Sequence, residues 1–228
     1  MKMKTSTIIA AHIAIMAQVA SAAVQITGIT TTDNGTWHIT ESSALVDPAL
    51  EVGEQYIAPK WDVTPFPDIY AANDGTVGWV VFDLGANYAL DEIRLWNANM
   101  SHADLGLMGW YVKNLSIHVG GSGAVQPTVP IGGNYFTDPT WTTVWDGDLD
   151  QGPGGPTLPH LSLVDPQLIL DATGNNDVRY VAIDLDSQYG GGPALLGHIQ
   201  IDGDPVPEPS TIGLLGLGSM FLLRRKKR

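Results

Sequence analysis

Five histidines lie between the two ends of the chain: His38, His102, His118, His160 and His198. Each is a latent general base or metal ligand. None stands in a His-x-His or His-Glu-x-x-His spacing, so none announces a metal site, and scattered histidines on strands read as hydrogen-bonded or solvated side chains. Gly120-Gly121-Ser122-Gly123-Ala124 comes within one residue of a nucleophile elbow. Such an elbow must lead from a strand into a helix. Val125-Gln126-Pro127 follows instead, so the segment reads as a hairpin loop.

Carboxylates are abundant. Asp91-Glu92 and the trio Asp146, Asp148 and Asp150 are the densest groups. Glycoside hydrolysis requires two carboxylates at a fixed separation across a cleft, which adjacency in an acidic stretch does not supply. The alternating trio resembles a calcium loop in spacing but lacks the glycine and bidentate acid that complete an EF-hand. It reads as a solvated acidic turn, with a loose cation site as the alternative. Seven tryptophans could stack on sugar rings. By strand alternation Trp79 and Trp96 fall on the outward side, yet core-edge cover is the commoner use of tryptophan. Gly213, Gly216 and Gly218 space loosely like a dinucleotide fingerprint, but they lie in an apolar tail with no strand before them. The chain has no cysteine, which excludes disulfides, thiol catalysis, Cys-ligated zinc and iron–sulfur clusters.

The elements that would position such groups are strands. Val80, Phe82 and Leu84 alternate with Val81 and Asp83. The same two-residue period recurs over Ile93 to Trp96, Leu115 to Val119, Val181 to Asp186 and Ile199 to Asp202. Weaker candidates are Val24 to Ile29, Trp37 to Thr40, Trp141 to Trp145 and Leu168 to Leu170. Each strong segment has one apolar and one mostly polar face, and Gly/Pro/Asn/Asp clusters separate them. That is an all-β pattern in which sheets bury one side in a sandwich. Helical periodicity is almost absent from the body.

The two ends differ from the body. Lys2 and Lys4, the apolar stretch Ile8 to Val19, and Ala20-Ser21-Ala22 have the three parts of a secretory signal peptide over residues 1–22, with Ala20 and Ala22 at the cleavage site. At the other end stand Pro207-Glu208-Pro209, the apolar segment Ile212 to Leu223 and the basic tail Arg224 to Arg228. An apolar helix over 212–223 would be about 18 Å long at about 1.5 Å per residue. A hydrocarbon core is about 30 Å thick, so this helix suits a transient stop in the inner membrane with the body outside. The five cations stay on the cytoplasmic side. Seven of the eleven basic residues belong to these ends. The body keeps four, against twenty-three acidic residues, a net charge of −19. A surface so negative repels nucleic acid and anionic lipid.

The last stretch, in that order of parts, resembles the PEP-CTERM sorting tag. The resemblance implies recognition and cleavage near Pro207-Glu208-Pro209 by an exosortase-type membrane enzyme, with delivery to the surface or extracellular matrix of a Gram-negative bacterium. The linker and tag occupy 204–228.

A second resemblance covers the body. Trp79 to Gly85 followed by Ile93-Arg94-Leu95-Trp96-Asn97, then Gly109 to Lys113, Arg179 to Asp184 and Leu195 to Ile201, is similar to the discoidin-type, galactose-binding-like modules. It implies a jelly-roll β-sandwich over 23–203. It also implies binding of extracellular polysaccharide or another envelope component through loops, without catalysis. The family's structural calcium makes Asp47 a candidate ligand, before Trp61. Against it, His198 stands where the family has a Glu, and imidazole is a poor calcium ligand. A matrix or coat protein without a discrete ligand is the alternative function, and an enzyme acting on extracellular glycan a more remote one.

Overall fold

The computed structural model describes residues 24–33, 42–47, 51–52, 55–58, 70–72, 78–97, 112–127, 136–150, 162–189 and 194–207. The signal-peptide residues Ala20 and Ala22, Glu208 and Pro209 of the sorting motif, the segment 212–223 and the tail 224–228 lie outside these. Among the described residues no helix is long and apolar enough to cross a membrane.

The protein is all-β, a sandwich. Among the described residues eleven strands follow in order: β1 (Thr30–Asp33), β2 (Glu51–Val52), β3 (Gln55–Ala58), β4 (Tyr70–Ala72), β5 (Gly78–Asn97), β6 (Val112–Gly120), β7 (Trp141–Asp148), β8 (Ser162–Val164), β9 (Leu168–Asp171), β10 (Val178–Gln188) and β11 (Ala194–Pro205). One 3-10 turn spans Ser42–Val46. The main sheet runs β4-β11-β5-β10-β6-β7, with β1 and β9 also on β5, while β2, β3 and β8 form a small separate sheet. Every registered pairing is antiparallel.

The long strand β5 makes the sandwich. Its first part pairs with β1 from Val80 to Asp83 and with β10 from Gly78 to Asp83. Its second part pairs with β11 and β9, from Tyr88 to Asn97. Between the two stands Gly85 with φ 79°, a left-handed backbone that side-chain-bearing residues adopt only with strain. Its N–H donates to Asp83 Oδ1 at 2.8 Å, which fastens the bend. One strand therefore serves both layers, and the apolar rows of each close on one core. Val80, Phe82, Leu90, Ile93 and Leu95 of β5 meet Leu115 and Ile117 of β6, Val181 and Ile183 of β10, and Ile199 and Ile201 of β11. Each such side chain taken from water contributes about 1.5–3 kcal/mol.

The strong alternating segments all become strands, and Trp141 to Trp145 and Leu168 to Leu170 do too. Val24 to Ile29 does not. There only Gln25 bridges Asp202, and the strand begins at Thr30. Trp37 to Thr40 lies outside the described residues. Trp79 and Trp96 both leave the main core, as alternation expects, but the outward side of each is covered. Trp96 is 1% exposed and packs against His198, with ring centroids 5.3 Å apart. Phe136 covers Trp79 edge-on at 6.5 Å.

Candidate functional site

Phe136 packs on the outer face of the β5–β10–β6–β7 layer. It brings Trp79, Val81, Trp141 and Ala182 together as a second, smaller apolar cluster. Beside that cluster the outer face is polar, and register decides which groups meet there. Trp79 pairs with Asp184, Asp184 with Ser116, and Ser116 with Asp146, one row across four strands. The next row carries Val81, Ala182, His118 and Thr143. A third joins Ser187, Asn114 and Asp148. A bulge between Ile117 and His118 shifts β7 out of simple alternation. It puts Thr143 and Asp146, of opposite parity, on one face.

The result is a groove of about 370 Å³, whose lining includes Asn114, Ser116, His118, Phe136, Asp146 and Asp184. His118 sits at its floor, 7% exposed. Its Nε2 lies 2.9 Å from Ser116 Oγ and its Nδ1 3.0 Å from Thr143 Oγ1. The ring stacks on Phe136, with centroids 4.6 Å apart and planes 21° from parallel. Burial lowers its pKa to about 4, against a smaller upward pull from Asp146. The imidazole is neutral at pH 7. Ser116 and His118 thus have the atoms of a catalytic dyad without its chemistry. A base so weak captures a proton poorly at neutral pH, and its other nitrogen meets a threonine rather than an orienting carboxylate.

The carboxylates behave oppositely. Asp184 is 7% exposed, and burial first, then the charge of Asp186, raises it to about 7. Asp186 is raised by burial and by Asp146. Asp184 Oδ1 is buried with no hydrogen-bond partner among the described residues. An acceptor so placed costs about 1–3 kcal/mol unless a donor reaches it.

A smaller hollow of about 200 Å³ lies at one end of the layer, lined by Gly120, Thr140, Thr142, Asn175 and Asp177 among others. Asp177 holds φ 65° there, and its carboxylate accepts from Asn87 Nδ2 at 2.5 Å.

Other sequence candidates fall elsewhere. Gly120 to Ala124 is not a complete hairpin loop but a turn at the end of β6, closed by Ala124 N–H to Gly121 O at 3.0 Å, and β7 begins only at Trp141. Asp146 and Asp148 stand on a strand rather than in a solvated turn, and Asn114 Nδ2 donates to Asp148 Oδ1 at 3.0 Å. Asp47 follows the 3-10 turn. Among the described residues no three His, Cys, Asp or Glu side chains are placed to hold a metal ion, Asp47 included. His198 is fully buried against Trp96 and offers no open donor set for calcium. His38, His102, His160 and Trp61 lie outside the described residues. Pro207 follows Val206, whose N–H donates to Asn87 O at 2.8 Å, so the sandwich holds the chain up to the motif.

Comparison with known proteins adds the following. Residues 205–228 match the PEP-CTERM protein-sorting motif, which marks an exported protein processed at its C-terminus. No curated protein sequence matches the chain. Among solved structures, the lectin-binding domain of Lectinolysin in complex with Lewis b superposes at TM-score 0.45 and 13% identity, over 78% of this chain and 94% of that one. The carbohydrate-binding module CBM32 of AlyQ, in complex with 4,5-unsaturated mannuronic acid, gives TM-score 0.42 and 14% identity, over 79% and 98%. The C-terminal domain of a chitobiase from Bacteroides fragilis gives 0.48 and 10%, over 82% and 100%. Likenesses of this size carry no argument about the ligand, and the sandwich rests on its own strand pairing.

Proposed function

We propose that this chain is an exported, non-catalytic carbohydrate-binding module of the cell surface or extracellular matrix. On this reading an exosortase-type enzyme cleaves it near Pro207-Glu208-Pro209, and its ligand lies in the groove over β10, β6 and β7. The observation that carries the binding half is the groove itself. It sets hydroxyls, an amide, a neutral imidazole and carboxylates on a rigid sheet beside the Phe136 edge. A sugar ring offers several hydroxyls that both donate and accept, together with apolar C–H faces. A groove of mixed donors and acceptors with one aromatic edge matches that chemistry. A signal peptide cleaved after Ala22 and the short apolar segment 212–223 complete the export route. The body is outside while the segment holds it at the inner membrane.

The test is an oligosaccharide array probed with the full chain in detergent micelles, with and without a calcium chelator. Saturable binding to one glycan class is expected, weakened about tenfold by Asn114→Ala, which equals about 1.4 kcal/mol. Absence of saturable binding by the folded chain would sink the reading and leave a matrix or coat role, to which the net charge of −19 also lends itself. For the sorting half, alanines at Pro207, Glu208 and Pro209 are expected to leave an unprocessed precursor in the inner membrane. Normal processing of that variant would refute it.

A further inference from the structure

We infer that the groove is built for a sugar carrying a free protonated amine, an unacetylated amino sugar, whose ammonium sits against Asp184 and Asp186. The inference rests on the carbohydrate reading above and narrows it. Asp146, Asp184 and Asp186 all line the groove, and among the described residues no lysine or arginine does. Acidic crowding alone specifies nothing. The decisive group is Asp184: it is more than nine-tenths buried, it lines the groove, and its Oδ1 has no donor among the described residues.

The charges around it sharpen the point. Asp186 raises Asp184, Asp146 raises Asp186, and Asp146 also pulls on His118, so the three carboxylates act on one another across one small space. A cation relieves that repulsion and an N–H meets the orphaned oxygen. His118 supplies no positive charge, since burial keeps it neutral. A bare metal ion is the wrong cation, because it needs several ligand atoms converging within about 2.0–2.6 Å. No such group of side chains is formed among the described residues. An ammonium donates three separate hydrogen bonds over a wider span, and the sugar hydroxyls beside it fall to Ser116, Thr143 and Asn114.

The experiment is calorimetric titration of the full chain in detergent with oligomers of glucosamine, with N-acetylglucosamine oligomers of equal length, and with a lysine oligomer. The glucosamine oligomer is expected to bind at least tenfold more tightly than the other two. Asp184→Asn, which keeps the shape and removes the charge, should abolish that preference. Asp186→Asn, at an exposed position, should weaken it several-fold and serves if the buried variant does not fold. Equal binding of the two sugars, or a preference that survives both substitutions, overturns the inference and leaves the carbohydrate reading intact. A lysine oligomer binding as tightly overturns the sugar assignment. If neither sugar binds to folded protein the inference fails, and the wider array decides the carbohydrate reading separately.

Discussion

His118 and Asp184 face the same groove and are shifted in opposite directions, which has a consequence for stability. The histidine falls from 6.5 to about 4 in the folded protein. Between those values the unfolded chain takes a proton that the folded one refuses, so this group removes stability as pH falls. The aspartate rises from 3.8 to about 7. There the folded form keeps a proton that the unfolded form has lost, so this group removes stability as pH rises. Over about pH 4 to 6.5 the two slopes oppose each other, each worth at most about 4 kcal/mol across its whole window. Thermal midpoints of the wild type are therefore expected to stay nearly level there. Asp184→Asn should show a midpoint climbing with pH, and His118→Gln one that falls. Slopes of the same sign in the two variants would defeat this account.

These residues were only half legible beforehand. Alternation puts Ser116 and His118 on the polar side of a strand, and Asp184 and Asp186 likewise. It says nothing of Phe136 folding over that side, and so Ser116, His118 and Asp184, which look solvated, are buried while Asp186 stays exposed. The bulge beside His118 hides Thr143 as well, since parity in the sequence points it the other way. No local signal links Asp146 to Asp184, because their meeting is a matter of register across three strands.

Among the elements, Asn97 ends β5 and clamps the start of β6. Its Nδ2 donates to Val112 O at 2.7 Å and to Asp150 O at 3.0 Å, and its Oδ1 accepts from Val112 N–H at 3.1 Å. Asn97→Ala strands the buried N–H and C=O of Val112 and the part-buried C=O of Asp150, and a loss of about 2–4 kcal/mol is expected by chemical denaturation. A loss under about 0.5 kcal/mol would show that water replaces the amide. Gly85 makes a narrower prediction. Ala at φ 79° should cost about 1–2 kcal/mol, while Gly123→Ala, whose added carbon meets nothing within 4 Å, should be near neutral. Matching losses at both positions would mean that the bend is not where the strain lies. The strands themselves were the legible part, since two-residue alternation is a local property. That one run from Gly78 to Asn97 serves both layers was not, because the bend depends on which partners each half finds.

At the scale of the whole molecule, the body carries a net charge of −19 with four cations to temper it. Arg179 is one, spread over Asp83 by hydrogen bonds of 3.0 and 3.2 Å. Arg94 is another, beside Glu92. Acidic residues so far outnumber these cations that the folded form repels itself at low ionic strength. Added sodium chloride is expected to raise the thermal midpoint, most steeply at first, because screening sets in as the Debye length falls below the spacing of surface charges. A midpoint that drops on adding salt would mean that the few ion pairs outweigh the repulsion.

The order in which the strands close bears on export. β11 pairs with the far half of β5, and it ends at Pro205, just ahead of the Pro207 that opens the sorting motif. Until that last strand has emerged, the second layer lacks its central member and the core stays open. A chain threading outward N-terminus first would thus have nothing finished to block its passage. On the export route proposed above, a tail that paused in the bilayer would leave the segment just released to complete the sandwich. On that same proposed route the folded body would be a stopper on the outer side, and the cleavage motif would lie beside a domain already shut.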